Sequence, residues 1–366
     1  MKNPQKEKLM IVFYDMALGG IQRKIIDIME HLNKNRPKTE IVLCVIKTDG
    51  IFMDKIPAGV IIETPPFYFS RFYMFWFIAW MSFEIIKHSP SHILSFMDVG
   101  SVPTLFALKA VFWKKPKVVI GEDILTSKYV YIESQPQARL KLIKNLYPLA
   151  SKILVQTPVQ QQDLKQIASP HAMENVVVSP NWLPLEFPPS NIVKSPRSTD
   201  ILFMGRIEAQ KNLHRFVEII KIVHRYYPDL SVKIVGEGSQ LKEIKQLVHR
   251  QKLDRTISFL PPTKNPAQYY LNSKIFLLTS DYEGFPLTLM EAVSCGCYPV
   301  LINLPEISQF FNKYQPRFIF KDISGAVSLI HSALKKPDTK ALDHYRNLII
   351  SRQSKLISQY ITHIFS

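Results

Sequence analysis

A chain of 366 residues, 46% hydrophobic and 21% charged, has the balance of a globular protein, and its length suits two domains better than one core. Three cysteines (Cys44, Cys295 and Cys297) are too few for a disulfide framework, and no Cys/His set has zinc-ligand spacing. The formal charge of +16 is spread over both halves of the chain, not gathered in a tail, and favours anionic partners: nucleic acid, anionic lipid or phosphorylated small molecules.

The apolar run after the basic start stops at Asp15, too soon for the core of a cleavable signal peptide, so residues 8–14 read as a first β-strand. With so few cysteines, a reducing cytoplasmic setting is expected. DMALGGIQRKIID (15–27) joins that strand to a helix over 20–33 through Gly19 and Gly20, a turn whose bare backbone can approach a ligand. It lacks the GxGxxG spacing of dinucleotide sites, which counts against a dehydrogenase or a sugar-nucleotide epimerase. Further strands are expected at 39–46, 91–97, 117–121, 152–156 and 175–179, with helices at 101–113, 137–149 and 158–168. The strongly aromatic stretch 67–83, FYFSRFYMFWFIAWMSF, is interrupted by Arg71. Its uninterrupted part falls short of the roughly 20 residues that span a bilayer, leaving a core helix or a helix docked on an anionic membrane surface.

Pro180, Pro184, Pro188, Pro189 and Pro196 then forbid helix or central strand, and 181–198 reads as a linker after an N-terminal domain of residues 1–180. The alternation restarts with strands at 200–204, 231–235, 256–260, 274–279 and 297–302 and helices at 212–227, 239–251, 266–272 and 286–295, giving a second domain over 199–340. The tail, 341–366, reads as helix that would pack back on the N-terminal domain. The fold class is α/β: two Rossmann-like doubly wound domains, expected to face each other across a cleft lined by the carboxyl ends of both sheets.

The strongest chemical signal is DYEGFPLTLMEA (281–292), which follows an apolar strand and opens a helix. Pro286 fits the first helical position, leaving the N–H groups of Leu287, Thr288 and Leu289 to meet an anion with the helix dipole behind them. Glu291 and Glu283 can accept hydrogen bonds from hydroxyls on either side of that anion. LFMGRIEAQKNLHRF (202–216) adds Gly205, which permits close backbone approach, and Arg206 and Lys211, two cations able to neutralise a diphosphate. Nothing nearby resembles an Asp-x-Asp metal site, and no cofactor or metal is expected. VGEGS (235–239) is a glycine turn between strand and helix, and Pro261 in LPPT (260–263) stands at a strand end where a nucleobase could lie. No nucleic-acid module is recognisable, so nucleic acid is not an expected partner.

The succession GGIQR, FMGRIEAQKN, VGEGS and EGFPLTLMEA resembles the retaining GT-B glycosyltransferases of family four (the glycosyl transferases group 1 type), specifically over residues 200–310. The resemblance implies transfer of a sugar from a nucleoside-diphosphate donor, a UDP-sugar by family frequency, to a glycan or lipid-linked acceptor at the inner face of the cytoplasmic membrane. It implies that Arg206 and Lys211 stabilise the departing diphosphate and that Glu291 holds the ribose. It further implies that Glu283 holds the sugar, with amides near Phe285, Leu287 and Thr288 assisting. Where relatives carry a histidine after the strand at 117–121, this chain has Glu122 and Asp123; either could act on the acceptor or merely cap the loop, and Asp98 carries the same ambiguity.

Overall fold

The computed structural model describes residues 7–17, 19–48, 50–66, 73–132, 135–188 and 196–366. The chain divides into two compact units, one of Met1–Asn181 with Lys355–Ser366 and one of Trp182–Ser354.

Among the described residues, the first unit is built on a seven-stranded sheet of β1 (Lys8–Asp15), β2 (Glu40–Lys47), β3 (Ile61–Glu63), β4 (His92–Phe96), β5 (Lys117–Glu122), β6 (Lys152–Val155) and β7 (Val176–Val178). The spatial order is β3-β2-β1-β4-β5-β6-β7, and every pairing is parallel. Its helices are α1 (Gly20–Asn35), α2 (Tyr73–His88), α3 (Met97–Ala110), α4 (Thr126–Ile132), α5 (Pro136–Leu146), α6 (Pro158–Ile167) and α7 (Pro170–Met173). The central strands are near-continuous apolar runs because helices cover both faces: Leu9 to Phe13 of β1 are all buried. At α6 the sequence specifies the start outright, with Pro158 in the first turn and a capping box between Thr157 and Gln160.

The second unit repeats the design with β8 (Thr199–Met204), β9 (Val232–Val235), β10 (Ile257–Leu260), β11 (Ser273–Leu278), β12 (Tyr298–Ile302) and β13 (Ile319–Phe320). Its helices are α8 (Leu213–His224), α9 (Leu241–Arg250), α10 (Ala267–Leu271), α11 (Leu287–Ser294), α12 (Pro305–Phe310), α13 (Gln315–Phe318), α14 (Ile323–Lys335) and α15 (Thr339–Phe365). The parallel sheet runs β10-β9-β8-β11-β12-β13. Strand order therefore reverses between β1 and β4 in one sheet and between β8 and β11 in the other. The carboxyl ends of strands at such a reversal are where this class binds ligands.

Three differences from the expected elements matter. The helix expected over 101–113 starts at Met97 and ends at Ala110, which puts Asp98 in its first turn and leaves Phe112 and Trp113 in an exposed turn. Residues 182–188 of the proline-rich segment are packed against the second unit: Leu183 and Phe187 lie in its core, and Gln353 Nε2 donates to the carbonyls of Leu183, Pro184 and Phe187. The tail is a single 27-residue helix, with Tyr345 and Ile349 in the core of the second unit and residues from Lys355 onward assigned to the first.

Candidate active site at the strand reversal of the second unit

Backbone geometry comes first. Gly205, just past β8, has φ +153°, and Gly236, just past β9, has φ +151°, values that side chains oppose. A Cβ on Gly236 would sit 1.9 Å from the Gly205 carbonyl oxygen, so the two strand ends touch backbone to backbone and position 236 admits only glycine. That contact fixes the path of the chain into Arg206.

The next turn, residues 209–212, is tied to the loop after β11 by a set of hydrogen bonds. Asp281 N–H donates to Gln210 O at 2.9 Å, Gln210 Nε2 to Tyr282 O at 2.9 Å, and Thr279 Oγ1 to Lys211 O at 3.0 Å. Arg215 adds a bond to Thr279 O at 2.8 Å and an ion pair with Asp281 at 3.0 Å. The result is that Lys211 Nζ lies 2.6 Å from Glu283 Oε1, which also accepts from Ser280 Oγ at 2.6 Å. Glu283 is buried. Arg206 is exposed and makes no hydrogen bond or ion pair with any described residue. A paired cation and an unengaged one thus stand beside the same strand end.

The loop enters α11 differently from expectation. Pro286 is the cap residue, with extended ψ 124°, so the helix starts at Leu287. The Leu289 N–H is used, donating to Pro286 O at 3.1 Å. Among the described residues the amides of Leu287 and Thr288 keep no backbone partner, so the exposed donor set is two peptide N–H groups and not three. Glu291 is buried and accepts from Tyr270 Oη at 2.8 Å. Phe285 is half-buried in an edge-to-face contact with Phe310, ring centroids 5.0 Å apart, and Pro261 is exposed just past β10.

Glu306, in the first turn of α12, escaped the sequence reading. It is buried, and neither side-chain oxygen makes a hydrogen bond. Burial, with no hydrogen bond to the carboxylate to offset it, raises its carboxyl from 4.5 to about 7. Its signal was a Pro-Glu pair directly after an apolar strand. Because the folded value is raised, the unfolded chain releases this proton first. Stability from the neutral acid is therefore complete below 4.5 and lost as pH climbs through about 7. The Tm advantage of Glu306→Gln over wild type should be near zero at about pH 5 and widen by about pH 8. A gap that stays flat across that range would show that the carboxyl ionises freely.

In the first unit, Gly19 caps α1 with extended φ −174° and Gly20 is its first residue; the conformation at Gly19 is one any residue adopts. Asp123 is held by Lys24, Nζ to Oδ1 2.7 Å, with both side chains nearly buried and Lys24 lying 5.0 Å from the Tyr360 ring centroid. Glu122 is buried and accepts from Tyr147 Oη and, at 2.8 Å, from Thr126 Oγ1. Burial raises it to about 8, so it is a neutral acid at pH 7. Asp98 pairs with Arg139 at 2.6 Å. Each of the three acidic residues singled out here has a built partner.

Residues 189–349 match the family model of glycosyl transferases group 1. The amylovoran biosynthesis glycosyltransferase AmsD of Erwinia amylovora is 30% identical over 207 residues, 56% of this chain and 55% of the relative, so the chain spans about half the length of that curated protein. The capsular polysaccharide biosynthesis glycosyltransferase CapH of Staphylococcus aureus is 24% identical over 330 residues, 88% of this chain and 87% of the relative. The solved structure of Anabaena HepE in complex with UDP and glucose superposes with a TM-score of 0.78 at 17% identity, covering 99% of this chain and 100% of that one. The fold is thus GT-B, and residues 189–349 are similar to the glycosyl transferases group 1 family.

Proposed function

We propose that the protein is a retaining, metal-independent glycosyltransferase that moves a sugar from a nucleoside-diphosphate donor to a glycan or lipid-linked acceptor in cell-envelope polysaccharide or glycolipid synthesis. The observation that carries the reading is the Lys211–Glu283 contact of 2.6 Å at the strand reversal; unengaged Arg206 follows β8, and the open amides of Leu287 and Thr288 begin α11, the helix that follows β11. A cation pair and a helix N-terminus are what a departing diphosphate needs, because its charge grows as the sugar leaves.

In this reading Lys211 shares its three N–H donors between Glu283 and a phosphate oxygen, so Glu283 aims the ammonium as well as binding sugar hydroxyls. Glu291 takes the ribose, Gly205 lets phosphate approach the backbone, and Pro261 and Phe285 border the base and the sugar. The bond from the anomeric carbon to the diphosphate oxygen breaks as the acceptor hydroxyl bonds to the same face, its proton passing to the departing oxygen. Gly19 and Gly20 approach the donor phosphates or the acceptor, and Asp123, paired with Lys24, acts on the acceptor. UDP is the favoured nucleotide, supported by the UDP in the HepE structure, and the acceptor is met at the inner face of the cytoplasmic membrane.

The test is incubation with UDP-, GDP- and ADP-sugars, following release of the nucleoside diphosphate and the anomer formed by NMR. Release from one donor class with an α-linked donor giving an α-linked product supports the reading. An inverted product removes the retaining mechanism, and no release from any donor removes the transferase.

A further inference from the structure

The first unit carries an apolar, cation-flanked surface that the donor chemistry does not use. Helix α2 has two apolar faces. Phe77, Trp80, Met81 and Ile85 point into the core, while Phe75 (66% exposed), Trp76 (46%), Phe83 (60%) and Ile86 (44%) form a second stripe at helical spacing toward solvent. Helix α3 packs beside α2, and the turn after it exposes Phe112 (73%) and Trp113 (57%). Lys114 Nζ donates to Ser89 Oγ at 2.6 Å, which sets this turn next to the carboxyl end of α2. Single exposed apolar residues are ordinary, but six large ones on two adjoining elements are not.

The charges around the stripe choose its occupant. From 72 to 121 the only acidic residues are Glu84 and Asp98, and both are buried. Lys109 and Lys115 are exposed in the same stretch. Glu84 is kept inward by Lys87 and His88, each 3.4 Å from its Oε2, and the same two side chains bond Glu63 of edge strand β3 at 2.7 and 2.8 Å. This network pins the end of α2 to the sheet, so burying the outer stripe requires a partner and not a roll of the helix. No described helix is long and apolar enough to cross a membrane.

We propose that Phe75, Trp76, Phe83, Ile86, Phe112 and Trp113 are a docking surface for an anionic phospholipid bilayer, with Lys109 and Lys115 meeting its headgroups. Aromatic side chains seat at the depth where acyl chains meet headgroups, and lysines set beside them gain from a negative surface. Among the described residues of 73–121, Lys109 and Lys115 are exposed and both carboxylates are buried, and the +16 chain adds long-range attraction that salt screens beyond about 10 Å at 0.1 M. Docking stands independently of the transferase reading, and would place the first unit against the surface where a lipid-linked acceptor resides.

The experiment is flotation of the full chain with vesicles of phosphatidylglycerol and phosphatidylcholine, against phosphatidylcholine alone, at low and high salt. Wild type should bind the anionic vesicles, with Trp emission shifted to the blue, and release as salt rises. Phe83→Ser/Phe112→Ser/Trp113→Ser should keep the wild-type Tm, since all three are mainly exposed, and lose at least about tenfold in partitioning. Lys109→Glu/Lys115→Glu should lose the preference for anionic lipid. Wild type that stays unbound, binds both vesicle types equally, or forms a dimer that the triple variant dissolves would overturn the proposal, the last by assigning the face to a second copy. Thermal shift with UDP scores donor binding in the same preparation, so a failure on vesicles and a failure of the donor site are read separately.

Discussion

Alanine at Arg206 should lower kcat for sugar transfer by about 10²–10³-fold with little change in Tm. The side chain is exposed and engages no described residue, so the folded state does not use it. Lys211→Ala should cost a similar factor in rate and also stability. It removes a charge-assisted bond to Glu283 and leaves that buried carboxylate with Ser280 Oγ as its side-chain donor among the described residues, a loss of roughly 1.5–3 kcal/mol. The contrast is the informative part. If both residues serve the diphosphate, their rates fall alike while only Lys211→Ala melts earlier. Unaltered kcat in Arg206→Ala would detach the unengaged cation from the chemistry.

Glu291→Gln is expected to lower kcat/KM by about 10²–10⁴-fold, the worth of the charge-assisted hydrogen bonds that the carboxylate accepts from two ribose hydroxyls. Glutamine is the better probe than alanine here. Glu291 is buried and bonded to Tyr270 Oη at 2.8 Å, and alanine would orphan that hydroxyl and open a cavity besides. Tyr270→Phe gives the control: it removes the bond that orients Glu291 while leaving the carboxylate, and should cost less than tenfold. A Glu291→Gln enzyme with normal kcat/KM, or one whose loss is matched by Tyr270→Phe, would recast Glu291 as a packing residue.

How far the sequence could be read depends on what sets each feature. The alternation of apolar runs with amphipathic stretches located most strands of both sheets within a residue or two, because the middle of a parallel strand buried on both faces must be apolar, as residues 9–13 of β1 and 275–278 of β11 are. It did not reveal β3 or β13, of three and two residues, which depend on an already formed neighbour and have too few positions to show a period. Charged motifs were legible where local spacing and glycine geometry imposed them: Gly205, Arg206, Lys211 and Glu283 share two loops that the sheet order makes adjacent. Tyr270 and Glu306 were not, since each reaches the site through tertiary packing and belongs to no spaced pattern, whereas Ser280, three residues before Glu283, contributes through a local turn bond that no periodic pattern marks. Lys24 shows the same limit. Nothing in the local pattern marks it, and only the folded chain brings it to Asp123, 99 positions away. The proline-rich segment misled in the other direction: proline forbids regular structure but not burial, and Leu183 and Phe187 are core residues.

The most direct measurement is calorimetric titration of UDP onto wild type and onto Arg206→Ala/Lys211→Ala. The account predicts saturable binding to wild type, a loss of at least about 10²-fold in affinity in the double variant, and much smaller discrimination for uridine, which has no phosphate to neutralise. Equal UDP affinity in both proteins would contradict it, because the diphosphate would then rest on groups other than these two cations.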